Sequence, residues 1–345
     1  MKSSKTMELT VIIPIYNRAR MLAQALESLR WQTYKDFVVI VCDDASKDNL
    51  QEVVDKFTDV RIEYHRYEAN VGQFKNAMRG LELCQTPFLK YLDSDDLLFT
   101  EALEKQVKAL QEMPNAAICL GGMVSFEELQ EQNQINVLDY SEPYTPEPRS
   151  ERQWAKLEEY RGSNPSACMY RTELFRNLGG FNTSLVGIAD WEICVALSSK
   201  YLVTAVNEPV CAYRLHTDQI TQNYSVNSDA VLIKDVFWLT SNANSYRERL
   251  GIPLAQQFFM RLDVCWRELR IALESNQKIF LLKKWWEIVV LNKMLVPFIF
   301  SSPWFVILKL MRKPKSQTGT SHAFNLEKYK NSIFSVLFNE RAISS

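Results

Sequence analysis

The sequence predicts an α/β fold in which a mostly parallel sheet is flanked by helices and followed by a helical C-terminal extension. Two observations predict the sheet. Strand-like and helix-like segments alternate over residues 8–110, and the strand-like runs are apolar throughout, as in strands buried on both faces. A third observation predicts the extension, because helical patterns continue from residue 223 onward. We therefore expect two domains, residues 1–222 and residues 223–345.

The first half of the sheet is predicted from short apolar runs that end at polar residues. Leu9–Ile15 is the first run, and after it Met21, Leu26 and Leu29 recur at helical spacing. The same criteria predict strands at Phe37–Cys42, Val60–His65 and Phe88–Leu92, and helices at Leu50–Phe57, from Gly72 to Cys84, and after Thr100 as an N-cap.

The second half of the sheet is less regular. Ala116–Phe126 is predicted as a strand, whereas residues 127–149 are rich in Glu, Gln and Pro and are predicted as a loop or a mobile insertion. The remaining predicted elements are a strand at Pro165–Tyr170, a helix from Arg171 to the glycines Gly179 and Gly180, a helix at Asp190–Lys200, and short strands at Tyr201–Val206 and Val210–Leu215.

The composition is that of an ordinary globular protein. With 40 Lys and Arg against 41 Asp and Glu the net charge is −1, so no nucleic-acid partner is expected. The seven Cys form no C-x-x-C pair, which predicts reduced core cysteines rather than a disulfide framework or a zinc site. The N-terminus lacks the apolar stretch of a signal peptide, and no run reaches the roughly 18 apolar residues of a clear membrane span. We therefore expect a cytoplasmic protein.

Three polar clusters follow predicted strands at the points where those strands end. They are Pro14–Arg18, the pair Asp43-Asp44, and the tetrad Asp93–Asp96. In open parallel sheets the carboxyl ends of the strands meet at one edge, and ligands bind there. We therefore expect these three clusters, which are distant in sequence, to lie together.

The tetrad Asp93-Ser94-Asp95-Asp96 has three carboxylates in four residues. Like charges this close raise one another's pKa, and a hard divalent cation such as Mn²⁺ or Mg²⁺ relieves the repulsion by binding carboxylate and phosphate oxygens. The alternative is that these aspartates are solvated or cap the next helix. The pair Asp43-Asp44 has a structural alternative as well, because Asp is common wherever a strand meets a loop.

Three segments of the chain carry a resemblance to a known family. They read "VIIPIYNRARMLAQALESLRWQTYKDFVVIVCDDASKDN", "NVGQFKNAMRGLELCQTPFLKYLDSDDLL", and "PSACMYRTELFRNLGGFNTSLVGIADWEICVAL" followed by "EPVCAYRLHTDQIT". In this order they resemble the inverting glycosyltransferases of family 2, which have a GT-A fold. The resemblance covers about residues 8–222. It implies a nucleotide-sugar donor, usually UDP-linked, a glycan or lipid-linked acceptor, and Mn²⁺ or Mg²⁺ as cofactor. The Q-x-x-R-W signature of processive synthases is not found, so transfer of a single sugar is expected.

The resemblance also implies a role for each candidate site residue. The residues that match donor-binding positions are Pro14, Tyr16, Arg18, Asp43, Asp44, Asp93 and Ser94. Among them Asp44 would read the base and Asp93 would approach the ribose. Asp95 matches the metal ligand of the D-x-D motif, and Asp96 would only orient the loop. His216, in "YRLH", matches a position that can contact metal or diphosphate.

Asp190, in "ADWE", matches the catalytic base of the acceptor half. It would take the proton of an acceptor hydroxyl as that hydroxyl attacks C1 of the donor sugar, opposite the leaving diphosphate, so that the anomeric configuration inverts. From the residues alone, an N-cap is the stronger interpretation of Asp190, and packing is an equal alternative for His216. Ala189 departs from the pattern of relatives that carry an additional carboxylate at this position.

Residues 279–315 are apolar and rich in Trp in their first part and basic at their end. Because Pro297 and Pro303 interrupt the apolar run, the segment predicts an interfacial or re-entrant contact rather than a span. The basic residues suit an anionic leaflet, which would make the protein peripheral on the cytoplasmic face of the membrane. The alternatives are a helical subdomain that packs on the catalytic domain, or a homodimer contact.

Two other functions stand as alternatives. A nucleotidyltransferase that forms nucleotide sugars would share the sheet and the metal, but it should carry a Gly-rich phosphate loop where this chain has residues 14–17, Pro-Ile-Tyr-Asn. A non-catalytic glycan-binding relative should have lost an acidic residue, yet Asp44, Asp95 and Asp190 are all present.

Overall fold

The structure of the protein is a computed structural model that describes residues 7–129, 134–141, 164–216 and 326–337. Apart from Ser184–Ile188, all of these residues belong to one compact unit. The segment 279–315 lies outside the described residues, so the membrane contact and the homodimer contact stay predictions, as does the division at residue 222. Within the described ranges, no helix is long and apolar enough to cross a membrane.

Helices and strands alternate along the first half of the chain, as predicted. The strands are β1 (Leu9–Ile15), β2 (Phe37–Asp43), β3 (Ile62–Arg66), β4 (Phe88–Tyr91), β5 (Leu97–Leu98), β6 (Ala116–Leu129), β7 (Gln134–Ser141), β8 (Cys168–Arg171) and β9 (Leu202–Leu215). The helices are α1 (Ala19–Arg30), α2 (Leu50–Val54), α3 (Gln73–Leu83), α4 (Ala102–Glu112), α5 (Thr172–Asn177), α6 (Ala189–Lys200) and α7 (Leu326–Leu337).

The strands form one sheet in the order β3-β2-β1-β4-β8-β6-β9-β5, with β7 added beside β6. The pairs among β1, β2, β3 and β4 are parallel, and so is the pair of β6 with β9. The other pairs, in which β8 joins β4 to β6 and in which β5 and β7 take part, are antiparallel. The α/β fold class is therefore confirmed. The sheet is mixed, because β8, which lies between β4 and β6, runs antiparallel to both of them.

Helices cover both faces of β1 and β2, which explains why these two strands are buried along their whole length. Val11 and Ile13 of β1 lie in one core with buried residues of α1, α2 and α4. The side chain of Ile12 points to the other face, where it meets Gly80 of α3. Successive residues of β1 therefore face helices on opposite sides of the sheet, and burial of this apolar surface is a main favourable term in forming the sheet.

Several predicted boundaries are wrong. Residues 127–129 and 134–141 are not a loop: β6 continues to Leu129 and pairs with β7, so the Glu and Gln residues of these ranges belong to a strand pair of the sheet. The two predicted strands of residues 201–215 form one strand, whose pairing with β6 shifts register between Val206 and Pro209. The N-cap of α4 is Glu101 rather than Thr100.

Helix α7 packs on the same compact unit as the strands, although it lies more than 100 residues beyond β9 in sequence. The ring of Tyr329 meets Phe99 edge-on, with ring centroids 4.8 Å apart, and Ile333 and Val336 are buried. Phe99 directly follows β5, so the chain returns to cover the segment after the acidic tetrad.

Replacing Gly80 with alanine is expected to destabilise the protein by about 1–3 kcal/mol. An added Cβ would lie 2.5 Å from Cγ2 of Ile12 and 3.0 Å from Sγ of Cys42. The higher helix propensity of Ala, worth about 1 kcal/mol, does not offset that overlap. Chemical denaturation should show the loss, whereas Lys75→Ala, at an exposed position of α3, should change stability by less than about 0.5 kcal/mol. A Gly80→Ala variant as stable as wild type would contradict this packing.

Candidate active site

The carboxyl ends of β2, β1 and β4 lie side by side at one edge of the sheet. The loop after β1 carries Tyr16 and Arg18, the loop after β2 begins at Asp44, and Asp93 follows β4 closely. The structure thus brings together the three polar clusters that are distant in sequence, as predicted from parallel strand order.

The loops after β1 and β2 are locked to each other by short-range polar contacts. The backbone N–H of Asn17 donates to Oγ of Ser46 at 2.9 Å, and Oδ1 of Asn17 accepts from the N–H of Lys47 at 2.7 Å. Asn17 has a φ of 53°, a left-handed conformation that Asn tolerates better than most residues. This turn fixes the start of α1, where Arg18 is the N-cap.

Asp43 and Asp44 are both buried, and their carboxylates hold backbone in place. Asp43 accepts from the N–H of Ser46 at 2.8 Å and from the hydroxyl of Tyr64 at 2.5 Å. This arrangement favours a structural role for Asp43, while its predicted contact with the donor stays a prediction.

Asp44 faces the segment that leads into α3. Its two oxygens accept from the N–H groups of Val71 and Gly72 at 2.9 Å each, and Oδ1 also accepts from Arg79 at 3.0 Å. The guanidinium of Arg79 in turn lies 4.1 Å from the ring centre of Tyr67. Arg79 and Tyr67 are therefore neighbours of the predicted base-reading residue that sequence reasoning did not assign to the site.

Gln73, the first residue of α3, connects Asp44's segment to the acidic tetrad. Its side-chain amide donates to Oδ1 of Asp93 at 3.0 Å, one residue after the Gly72 N–H that binds Asp44. Burial, followed by the charges of Asp95 and Asp190, raises the pKa of Asp93 to about 7. The charge of Asp190 is thus one of the causes of the raised pKa of Asp93.

One carboxylate oxygen of Asp95 has two side-chain partners. Its Oδ2 accepts from Nη1 of Arg18 at 2.5 Å and lies 3.0 Å from Nε2 of His216. Burial by itself would raise the pKa of Asp95, but the hydrogen bond from His216 and the charge of Arg18 outweigh it and lower the pKa. The carboxylate is therefore kept ionised, and three of the predicted site residues meet at one atom.

Asp96 is fully buried, and its two carboxylate oxygens have partners outside the tetrad. Oδ2 accepts from the amide of Asn164 at 3.2 Å, and Oδ1 accepts from the backbone N–H of Arg214 at 3.2 Å. Burial, followed by the charges of Asp95 and Asp93, raises the pKa of Asp96 well above its usual value. These contacts support the role of orienting the loop that the resemblance implied for Asp96.

The other predicted site residues lie around this group. Asp190 is half-buried in the first turn of α6, and its charge contributes to the raised pKa of Asp93. Ser94 and Pro14 are buried, whereas the side chain of Tyr16 is 41% exposed and open to a ligand.

Two buried basic side chains, Lys90 and Arg214, hold the tetrad in place by hydrogen bonds, and neither was predicted to do so. Nζ of Lys90 donates to Oε1 of Gln106 and to the backbone oxygen of Ser166, both at 2.8 Å. Oγ of Ser166 then accepts from the N–H of Asp93 at 3.0 Å. Lys90 thus holds the segment on which the first residue of the tetrad rests.

Arg214 is the second buried cation and binds the other end of the tetrad. Its Nε donates to the backbone oxygen of Asp95 at 2.8 Å, Nη2 donates to Gln24 at 2.9 Å, and Nη1 forms an ion pair with Glu128. Glu128 also pairs with Arg20 of α1. The sequence predicted a loop or a mobile insertion at Glu128, yet its side chain is only 4% exposed and belongs to β6.

Stability should depend on pH through Lys90 in a direction opposite to most lysines. Burial lowers the pKa of Lys90 to about 8, from 10.5, so between these values the unfolded chain binds more protons and stability rises with pH. Relative to Lys90→Met, wild type should gain up to about 1.4 kcal/mol per pH unit between pH 8 and 10. Urea unfolding at pH 7.5 and 9.5 measures this, with Lys75→Met as the exposed control; a pH-independent difference would contradict it.

The donor set at the tetrad fits a hard divalent cation that also binds a diphosphate. Among the residues that the structure describes, no three His, Cys, Asp or Glu side chains form a metal-binding group. A cation of this kind, however, is commonly held by one or two protein ligands together with phosphate oxygens and water. Asp95, kept ionised, and His216, 3.0 Å from it, could supply those protein ligands.

Comparison with known proteins agrees with this geometry. The family described as "Glycosyl transferase family 2" matches residues 10–179. An uncharacterized glycosyltransferase of Haemophilus influenzae is 27% identical over 211 residues, which are 61% of this chain and 69% of the relative. One from Rickettsia bellii is 37% identical over 107 residues, 30% of this chain and 15% of the relative. The Escherichia coli UDP-Glc:alpha-D-GlcNAc-diphosphoundecaprenol beta-1,3-glucosyltransferase WfgD is 32% identical over 101 residues, 29% of this chain and 40% of the relative. The chain thus spans less than two thirds of two of these three relatives.

Two solved structures share the fold. S. aureus TarS 1–349 in complex with UDP-GlcNAc has a TM-score of 0.61 and 17% identity, with 82% of each chain covered. The mannosyltransferase PcManGT from Pyrobaculum calidifontis, in complex with GDP-Man and Mn²⁺, has a TM-score of 0.52 and 16% identity, with 99% of this chain and 87% of that chain covered. Residues 10–179 therefore match glycosyltransferase family 2, and the part of the chain that the structure describes has the GT-A fold.

Proposed function

We propose that this chain transfers a single sugar, with inversion, from a UDP-sugar to a hydroxyl group of a glycan or lipid-linked acceptor during the synthesis of a surface polysaccharide or glycoconjugate. The observation that carries the proposal is that Arg18 and His216 both contact one carboxylate oxygen of Asp95. The charges of Asp95 and Asp190 both raise the pKa of Asp93, which indicates that Asp190 lies near this group. The proposed donor-binding group at Asp95 and the proposed base Asp190 are then both close enough to Asp93 for their charges to affect its pKa. A direct displacement requires such proximity of donor and base.

The diphosphate end of the donor would bind at Asp95 and His216 through Mn²⁺ or Mg²⁺. When bound, the cation supplies positive charge that stabilises the departing nucleoside diphosphate. Arg18 now neutralises Asp95, and its side chain is 25% exposed, so it can turn toward a phosphate when the carboxylate gains another partner. Tyr16, exposed beside it, and Asp44 would contact the nucleoside.

Asp190 would act as the base at the acceptor side. It takes the proton of the acceptor hydroxyl while that oxygen forms a bond to C1 of the sugar and the bond from C1 to the phosphate oxygen breaks. A single displacement of this kind inverts the configuration at C1 and needs no covalent enzyme intermediate.

A nucleotide-sugar donor is supported by what the relatives' names state of those relatives, and two of the three names state a UDP-sugar. WfgD uses UDP-Glc, TarS 1–349 was solved with UDP-GlcNAc, and PcManGT with GDP-Man. The test is a screen of UDP- and GDP-sugars for thermal stabilisation of this protein with Mn²⁺ and with EDTA, followed by assay of donor hydrolysis. Stabilisation by a UDP-sugar that requires Mn²⁺, together with release of UDP, is expected.

Two other results would replace the proposal, when the screen is extended to acceptors and to nucleoside triphosphates with sugar phosphates. Stabilisation by a UDP-sugar without release of UDP, and without transfer to any acceptor tested, would indicate a non-catalytic glycan-binding relative. Formation of a nucleotide sugar from a nucleoside triphosphate and a sugar phosphate would indicate a nucleotidyltransferase.

A further inference from the structure

The end of β9 reaches the acidic tetrad with two side chains that are two residues apart. In extended chain, residues i and i+2 point to the same side. Arg214 and His216 do so: Arg214 donates to the backbone oxygen of Asp95 at 2.8 Å, and His216 lies 3.0 Å from the Asp95 carboxylate. One residue of the tetrad is therefore held through its main chain and contacted through its side chain by the same strand.

Arg214 is itself held on three further sides. Its backbone N–H donates to Asp96, Nη2 donates to Gln24 of α1, and Nη1 pairs with Glu128 of β6. Its guanidinium also lies 5.1 Å from the ring centre of Phe126. The planar guanidinium with its fixed fork of donors suits this site in a way that a lysine ammonium does not.

We propose that Arg214 is a positioning residue that sets the distance between Asp95 and His216, and through it the binding of the metal–diphosphate end of the donor. The inference rests on the proposed function and adds a residue that touches neither donor nor acceptor. Arg214 fixes the main chain of Asp95 relative to the end of β9. Because His216 directly follows β9, this hydrogen bond also keeps the imidazole within reach of the Asp95 carboxylate. Loss of the guanidinium would let the two ligands drift apart while the fold persists.

The variants for the test are Arg214→Met and, because Met can prevent folding at a buried polar site, the milder Arg214→Lys. Lysine keeps the charge, but its single nitrogen cannot bind Asp95, Gln24 and Glu128 in the same geometry. Leu110→Ala is the matched stability control: Leu110 is fully buried in α4, and the substitution leaves a cavity without touching the tetrad.

Two readouts separate positioning from general destabilisation. The first is the affinity of each folded variant for Mn²⁺ in the presence of UDP, by calorimetry. The second needs no metal: the imidazole Cε1–H resonance of His216, one of three His in the chain, assigned with His216→Gln. In the Arg214 variants we expect at least a tenfold weaker Mn²⁺ affinity and a His216 resonance shifted toward that of a solvated imidazole, with both unchanged in Leu110→Ala.

The proposal is overturned if folded Arg214 variants keep both readouts at wild-type values, or if Leu110→Ala changes both equally. If wild type shows no Mn²⁺-dependent UDP binding, the proposed function fails, and the His216 resonance alone then decides the role of Arg214. In that case an unshifted resonance in Arg214→Lys overturns it, and a shifted one supports it.

Discussion

Asp190→Asn is expected to lower the rate of sugar transfer by about 10²–10⁴-fold while donor binding stays within about twofold of wild type. An amide has nearly the size of the carboxylate but cannot accept a proton from the acceptor hydroxyl at neutral pH. Donor affinity should persist because Arg18, Asp95 and His216, which we place at the diphosphate, are unaltered.

The measurement is single-turnover transfer with the donor found in the screen, beside calorimetry with UDP. Glu173→Gln is the control, since Glu173 is likewise an acidic residue in the first turn of a helix but is exposed on α5. Its transfer rate should equal that of wild type. Wild-type transfer by Asp190→Asn would remove Asp190 as the base and leave it a structural residue of the first turn of α6.

Asp95→Asn is expected to abolish the stimulation of turnover by Mn²⁺ and to reduce transfer by at least about 10²-fold. The substitution removes the negative charge with which Arg18 and His216 interact, and it replaces one of the two carboxylate oxygens with an NH2 group. A neutral amide is a poor ligand for a hard divalent cation, and two cationic or dipolar groups would be left without their common partner.

Turnover as a function of Mn²⁺ concentration measures this loss. Asp59→Asn, at a carboxylate that is 57% exposed and pairs with Arg30 away from the tetrad, should keep the wild-type Mn²⁺ response. Asp95→Asn that still responds to Mn²⁺ with wild-type affinity would show that the metal binds elsewhere.

The parallel part of the fold was accessible from the sequence because its determinants are local. Runs such as Leu9–Ile15 and Phe37–Cys42 are apolar because helices cover both faces, and parallel order then brings their polar ends together. The predicted meeting of the three polar clusters followed from that order, whereas a position for His216 near the metal or diphosphate was implied only by the family resemblance.

What the sequence did not reveal depends on contacts between distant residues. Lys90, Arg214 and Glu128 look like surface residues in a sequence, since charged side chains are seldom buried without a partner. Their partners lie 76 or more residues away, apart from Gln106, the nearest partner of Lys90. The same limitation explains why residues 127–141 were predicted as a loop: Glu128 faces Arg214 rather than water.

The most direct measurement is a crystal structure with UDP and Mn²⁺, with the ion located by its anomalous signal. Our account predicts one Mn²⁺ peak in contact with Asp95, His216 and the diphosphate, with Arg18 turned from Asp95 to a phosphate oxygen and Asp190 facing the site where the sugar would lie. A diphosphate bound away from Asp95, or an Mn²⁺ peak that contacts neither Asp95 nor His216, would contradict it.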